Sequence, residues 1–302
     1  MSSKVYSGLD DLPRGTARDV ITEGLLVLEG GAWRGMYTQG VLDAMMEDDL
    51  NLSAVIGVSA GALSSFSYVA GQIGRCVHLN LAYRHDRNYT GTGAIVRDHG
   101  VTGFSYLFGD MSNEWPLDEE RFFNPARRYV AVATNIDTGE AEYFEKGKCS
   151  DIFKAIQASA TVPYVSEAVE IDGRRYLDGG IAQKIPLDWA LEQPEQKIII
   201  VRTRDKSYRK PLRAGNPFAR IEYGKKYPNL MYDLYEEAEH YNILLNRIDQ
   251  LEDSGRLYVL APSRPVTISR FEGDVEELGA LYWLGYNDAR AHAQEMKDYL
   301  AG

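Results

Sequence analysis

A three-layer α/β/α fold with a mainly parallel central sheet is what this sequence predicts, on three observations. Short apolar runs at residues 24–28, 52–56, 128–134 and 197–202 alternate with stretches of helical periodicity. The connections between those runs are long enough for the crossovers that parallel pairing requires. No Pro/Ser-rich linker interrupts the chain, so residues 1–302 read as one domain, with a polar lead over 1–22 and a closing helix over 275–302.

The totals narrow the class. An apolar fraction of 44% and a charged fraction of 25% suit a globular protein with material for a core. A net charge of −11 disfavours nucleic acid as a partner and gives no general attraction to anionic membranes. The segment that opens at Arg202 and ends at Lys226 runs against that total, with nine Lys/Arg and two acids. With Tyr208, Phe218, Tyr223 and Tyr227 in or beside it, the segment could lie against lipid head groups or form a solvated surface loop, and both readings stay open. Cys76 and Cys149 alone make no disulfide framework, and no zinc-ligand spacing occurs. Residues 1–23 lack an apolar signal core, which makes a cytoplasmic location the expectation.

Taken in order, residues 24–28 predict the first buried strand, running straight into Glu29-Gly30-Gly31-Ala32-Trp33-Arg34-Gly35. Helical spacing of Met36, Gly40, Val41, Ala44 and Met45 follows, with Asp43, Glu47, Asp48 and Asp49 off that face. The Gly-rich loop therefore sits at a helix N-terminus, where unpartnered N–H groups and the positive dipole end attract anions. Gly30 and Gly31 are expected to open backbone conformations closed to other residues. A dinucleotide fingerprint fails on the spacing of Gly30, Gly31 and Gly35, and the P-loop lysine is absent. An oxyanion hole and a plain strand-to-helix turn remain.

The organising stretch is Ala54-Val55-Ile56-Gly57-Val58-Ser59-Ala60-Gly61-Ala62, read as strand, sharp turn and helix. A serine at such a turn is expected in a strained conformation, with Gly57 and Gly61 removing Cβ atoms that would collide with the neighbouring strand and helix. No charge occurs from Leu50 to Gly74, but glycines and serines make that run too small and polar for a membrane span. A helix over 75–83 leads into residues 85–109, rich in Gly, Tyr and Phe, where an acyl pocket, a lid and ordinary core are open alternatives.

Strands are expected over 128–134 and 141–144, then a short helix over 151–159 capped by Ser150. Residues 168–171 and 174–177 form a hairpin on the Asp172-Gly173 turn, and its second strand delivers Asp178-Gly179-Gly180 to an exposed rim. A helix over 186–192, a strand over 197–202, a long helix over 233–252 and a strand over 256–260 precede the closing helix. A serine nucleophile needs a base. His240 and His292 both lie mid-helix, where surface or packing roles are the expectation, and Asp178 is the acid whose surroundings suit direct action on Ser59.

Gly30-Gly31-Ala32-Trp33-Arg34-Gly35, Gly57-Val58-Ser59-Ala60-Gly61 and Asp178-Gly179-Gly180, in that order, resemble the patatin-like phospholipase family. The likeness extends to Ala133-Thr134-Asn135, Val162-Pro163-Tyr164 and the tail around Tyr282-Trp283, so it covers most of the chain. The resemblance implies a Ser59/Asp178 dyad, an oxyanion loop of Gly30, Gly31, Ala32, Arg34 and Gly35, and hydrolysis of phospholipid or related acyl esters without metal or cofactor. Acyl transfer by the same dyad, or lipid binding without turnover, are the alternatives. One departure is Ala32, where many members carry a third glycine, which bears on loop geometry only.

Overall fold

The computed structural model describes residues 5–212 and 227–302, with backbone alone at 229 and 231–236. The elements that matter are β1 (Thr22–Leu28), α1 (Gly35–Glu47), β2 (Leu52–Val58), α2 (Ala60–Val69) and α3 (Arg75–Tyr83). Then come β3 (Arg128–Asn135), β4 (Ala141–Glu145), α4 (Ile152–Ser159), the hairpin β5 (Val169–Ile171) and β6 (Arg174–Asp178), and α5 (Leu187–Leu191). The chain closes with β7 (Ile198–Val201), α6 (Pro228–Asp253), β8 (Tyr258–Leu260) and α7 (Val275–Ala301).

The main sheet runs β8-β7-β1-β2-β3-β6-β5, with β4 also paired to β3. The first five strands of that order are mutually parallel, and β4, β5 and β6 pair antiparallel. The fold is thus the expected α/β/α architecture with a mixed sheet around a parallel centre. Strands buried on both faces explain the unbroken apolar runs: all four residues of β7, Ile-Ile-Ile-Val, are buried.

Two registers place the site. Leu28 pairs with Gly57, so β1 and β2 end side by side and their following loops leave from one edge. Val58 is level with Val132, and the next residue of β3, Ala133, is level with Asp178. Being antiparallel, β6 descends over that edge and stops beside the end of β2.

Several local expectations change. Twelve of the thirteen residues of α1 are buried, Asp43 included, because α7 covers the side that its acids had marked as solvent-facing. The Asp43 carboxylate accepts from Tyr282 Oη at 2.9 Å and from the Gly74 N–H at 2.8 Å, and burial pushes its pKa up to about 7. The reciprocal bond, Tyr37 Oη to Asp288 Oδ2, is 3.1 Å. Asp151, not Ser150, caps α4, accepting from the Lys154 N–H, while Ser150 Oγ donates to Asp172. The long helix starts at Pro228, whose missing N–H costs nothing in a first turn, rather than at 233. Gly15–Thr16 pairs with Gln72–Ile73 in a small ribbon that no sequence signal marked. Residues 85–109 lie within a run of short helices, among them Arg87–Thr90, Thr92–Asp98 and Phe104–Phe108. No helix among the described residues is long and apolar enough to cross a membrane.

The α1–α7 contact is backbone on backbone. A Cβ at Gly40 would overlap the Tyr282 carbonyl, and one at Gly285 would overlap the Tyr37 carbonyl. Gly285→Ala adds about 1 kcal/mol of helix propensity but must prise the helices apart, an overpacking cost of about 3 kcal/mol or more. The expected result is a net loss of about 2 kcal/mol, read by thermal or urea unfolding; an unchanged midpoint would contradict this packing.

Candidate active site

Ser59 has φ 55° and ψ −119°, a region that side-chain-bearing residues rarely occupy. Both of its backbone groups are tied down: the N–H donates to Ser159 Oγ at 2.9 Å, and the carbonyl accepts from the Leu63 N–H at 3.1 Å. The flanking glycines are there for space. A Cβ on Gly57 would lie 2.5 Å from the Ala62 nitrogen, and one on Gly61 would lie 2.6 Å from the Leu28 carbonyl oxygen. Strand, turn and helix can therefore close tightly enough to present the hydroxyl.

Asp178 ends β6, and its backbone is held on both sides. Its N–H donates to the Thr161 carbonyl at 2.8 Å, and its carbonyl accepts from Thr134 Oγ1 at 2.9 Å. Its carboxylate accepts from Ser59 Oγ at 2.6 Å through Oδ2 and from the Gly180 N–H at 2.8 Å through Oδ1. A Cβ on Gly179 would strike the Val132 carbonyl, and one on Gly180 would lie 3.0 Å from Asp178 Oδ1. The residue is partly buried rather than on the open rim expected of it. Enclosure of its carboxyl raises the pKa above the ordinary carboxylate value, against the opposing pull of Ser59, Gly180, Lys184 and Arg270.

The Gly-rich loop lies against the serine: a Cβ on Gly30 would sit 3.2 Å from Ser59 Cβ. One on Gly31 would be 2.8 Å from Thr203 Oγ1, and one on Gly35 would be 2.8 Å from Ala60 Cβ. Close approach is what these glycines provide, since none of the three has a left-handed φ. That conformation falls instead on Ala32, at φ 49°. The departure from glycine noted in the sequence therefore sits at the residue of the loop where glycine would relieve strain. The Gly30 N–H donates to the Lys184 carbonyl at 3.3 Å, whereas the N–H groups of Gly31 and Ala32 meet no acceptor among the described residues. Arg34 is buried, and its Nε likewise has no partner among the described residues. Burial, with Arg204 and Arg270 nearby, brings its pKa down to about 10, so it stays charged at neutral pH.

Beside Ser59 opens a cavity of about 790 Å³ including its mouth. Its walls are largely apolar, with Trp33, Leu63, Phe66, Leu79, Leu107 and Met111 among them. Tyr89, Thr90, Thr102 and Leu107 line it from residues 85–109, while Phe104 and Tyr106 of the same stretch are buried in a core cluster, so that stretch contributes both to a cavity wall and to ordinary core. No histidine lines this cavity. His292 is engaged with Tyr258 Oη at 2.7 Å and Glu295 Oε2 at 3.0 Å on the surface of α7, and His240 is an exposed residue of α6.

Several neighbours of the site carried no sequence signal. Ser159, the last residue of α4, and Thr161 and Thr203, two residues past α4 and β7, are ordinary polar residues that reach it only through tertiary contacts. Lys184, six residues past Asp178, was within reach of a local reading of the Asp-Gly-Gly loop.

Comparison with known proteins bears on the same residues. A family model described as patatin-like phospholipase matches residues 26–191, and a domain of unknown function (DUF6363) matches residues 227–301. The uncharacterized protein YjjU of Escherichia coli K12 is 29% identical over 183 residues, 59% of this chain and 51% of that protein. The probable lipid hydrolase 463L of invertebrate iridescent virus 6 is 24% identical over 220 residues, 65% of this chain and 75% of that protein. The match thus spans about half the length of the bacterial relative. Among solved structures, VipD of Legionella pneumophila aligns with a TM-score of 0.49 and 14% identity over 94% of this chain and 68% of that one, too loose a likeness to carry an argument. The phospholipase model takes in the Gly-rich loop, Ser59 and the Asp178 loop and covers more than half of the sequence: the chain belongs to the patatin-like phospholipase family.

Proposed function

We propose that this protein hydrolyses the carboxylic ester of a lipid through an acyl-enzyme on Ser59, with Asp178 as the general base. The observation that carries the reading is the 2.6 Å hydrogen bond from Ser59 Oγ to Asp178 Oδ2 at the edge of an apolar cavity. As Oγ attacks the ester carbonyl, its proton passes to Oδ2, and the tetrahedral oxyanion forms beside the Gly-rich loop. The N–H groups of Gly31 and Ala32, which meet no acceptor among the described residues, are the donors available to it, with the charge of Arg34 behind them. Collapse expels the alcohol, which takes the proton from Asp178. Water then repeats the sequence against the acyl-enzyme, releasing the fatty acid and restoring Ser59. The acyl chain lies along Leu63, Phe66, Leu79 and Met111, which supports a lipid rather than a polar ester.

A cytoplasmic site of action and contact with a head-group surface belong to the same proposal. The described part of the basic segment is largely engaged within the molecule: Lys206 pairs with Glu252, Arg209 with Asp249 and Lys210 with Glu237. Residues 213–226, the remainder of that segment, lie outside the described residues.

Ser59→Ala should lower turnover of a phospholipid or p-nitrophenyl ester by about 10³-fold or more, and Asp178→Asn by about 10²- to 10⁴-fold. Near-wild-type turnover in either variant would refute the dyad. Fatty acid as the product indicates hydrolysis, whereas a new ester on added lysolipid indicates transfer.

The pH dependence follows from the raised pKa of Asp178. The base must be ionised, so kcat/KM should climb with pH along a limb that lies above the ordinary carboxylate range of about pH 4. Stability takes the opposite sign. Because the folded chain holds the Asp178 proton more tightly than the unfolded chain, its contribution is full below about pH 4 and is lost as pH rises through the folded value. Asp178→Asn should therefore raise Tm at neutral pH and leave it unchanged in acid; a lower Tm at neutral pH would show that the Asp178 carboxylate is stabilising after all. Ala32→Gly, relieving a left-handed φ, should stabilise the fold by up to about 1 kcal/mol, and a lower melting temperature would contradict the loop conformation.

A further inference from the structure

Helix α6 belongs to the stretch matched by a domain of unknown function, and none of the sequence motifs of the site falls in it. Two of its side chains nevertheless reach the loops on either side of Ser59. Tyr241 Oη donates to Glu29 Oε1, on the residue immediately before Gly30, while Glu29 Oε2 accepts from Thr203 N at 2.5 Å and Thr203 Oγ1 at 3.0 Å. One turn earlier, on the same helix face, Glu237 Oε1 lies 2.5 Å from Lys184 Nζ and 3.4 Å from Arg270 Nη2, and its Oε2 pairs with Lys210. Lys184 Nζ in turn donates to the Gly180 carbonyl at 3.3 Å, inside the Asp178-Gly179-Gly180 loop. A single carboxylate from the C-terminal region thus gathers three cations, of which Lys184 touches the acid loop.

We propose that Glu237 is a positioning residue, holding the Lys184 ammonium against the loop that carries Asp178 with the Arg270 guanidinium beside it, so that the C-terminal region sets the basicity of the site. The inference rests on Asp178 acting as the base. The groups facing Asp178 are the Ser59 hydroxyl and the Gly180 N–H, which bond to it, and the positive charges of Lys184 and Arg270. Those facing Glu237 are Lys184, Lys210 and Arg270, and His240 lines the same recess. Enclosure of the Asp178 carboxyl favours its neutral form, and the two cations oppose that. Without Glu237, Lys184, Lys210 and Arg270 repel one another and disperse toward solvent, and Asp178 keeps its proton to higher pH.

The test is the pH–rate profile of kcat/KM on a soluble p-nitrophenyl ester for wild type, Lys184→Met, Glu237→Ala and the double variant. Each single variant should move the acid limb upward by about one pH unit. The double variant should move it no further than Glu237→Ala, because loss of Glu237 already releases Lys184. Where turnover is too slow, the rate of fluorophosphonate labelling of Ser59 over the same pH range reads the same limb. Should Glu237→Ala fail to fold by circular dichroism, Arg270→Met takes its place and must also move the limb upward. A limb unmoved or lowered in a folded variant, or additive shifts in the double, would overturn the inference while leaving the esterase intact. Wild type that neither turns over ester nor labels would instead refute the proposed function.

Discussion

The hydrogen bond between Ser59 Oγ and Asp178 Oδ2 joins residues 119 positions apart, and nothing local to either one creates it. It follows from two strand registers. Val58 is level with Val132, and Ala133, one residue further, is level with Asp178. Because the side-chain period of a strand is two residues, a slip of one position in either pairing would turn Asp178 to the other face of the sheet. Register is enforced by burial: Val55, Ile56, Val58, Val130 and Val132 all lie in the core, so a slipped strand would expose apolar side chains.

Around that contact, polypeptide backbones meet more closely than side chains permit. Gly57 and Gly61 let β2, α2 and the end of β1 converge, Gly30 and Gly35 let the loop and α1 sit on the turn, and Gly179 lets the acid loop cross β3. These positions explain why glycine dominates the motifs. Removal of Cβ, rather than access to left-handed backbone, is what each supplies, and the left-handed strain is carried by Ser59 and Ala32. Ser59 is held by the two backbone bonds to Ser159 and Leu63, so its strained geometry is over-determined by its surroundings.

The region after residue 227 is tied to the rest at several points. Helix α7 packs on α1 through facing glycines and the paired bonds Tyr282–Asp43 and Tyr37–Asp288, so a helix that leads out of the Gly-rich loop is buried nearly all round. Helix α6 reaches the loops at both sides of Ser59 through Tyr241 and Glu237. The two family matches therefore describe parts of one packed structure, with acids from each part pairing with cations or accepting hydrogen bonds from hydroxyl groups of the other.

The α/β class, the succession of core strands and the turn at Ser59 were determined by the sequence, because apolar runs, their spacing and glycine at close approaches are local properties of the chain. So was the likeness carried by its three short motifs. Tertiary structure alone decided the burial of Asp43, since its position on α1 reads as solvent-facing until α7 is in place. It alone brought Ser159, Thr203 and Glu237 to the site, because a single hydroxyl or charge in a polar stretch has no periodicity to betray its partner. It also reversed the reason for the glycines in the loop, which depends on what lies opposite each Cα and not on the order of residues.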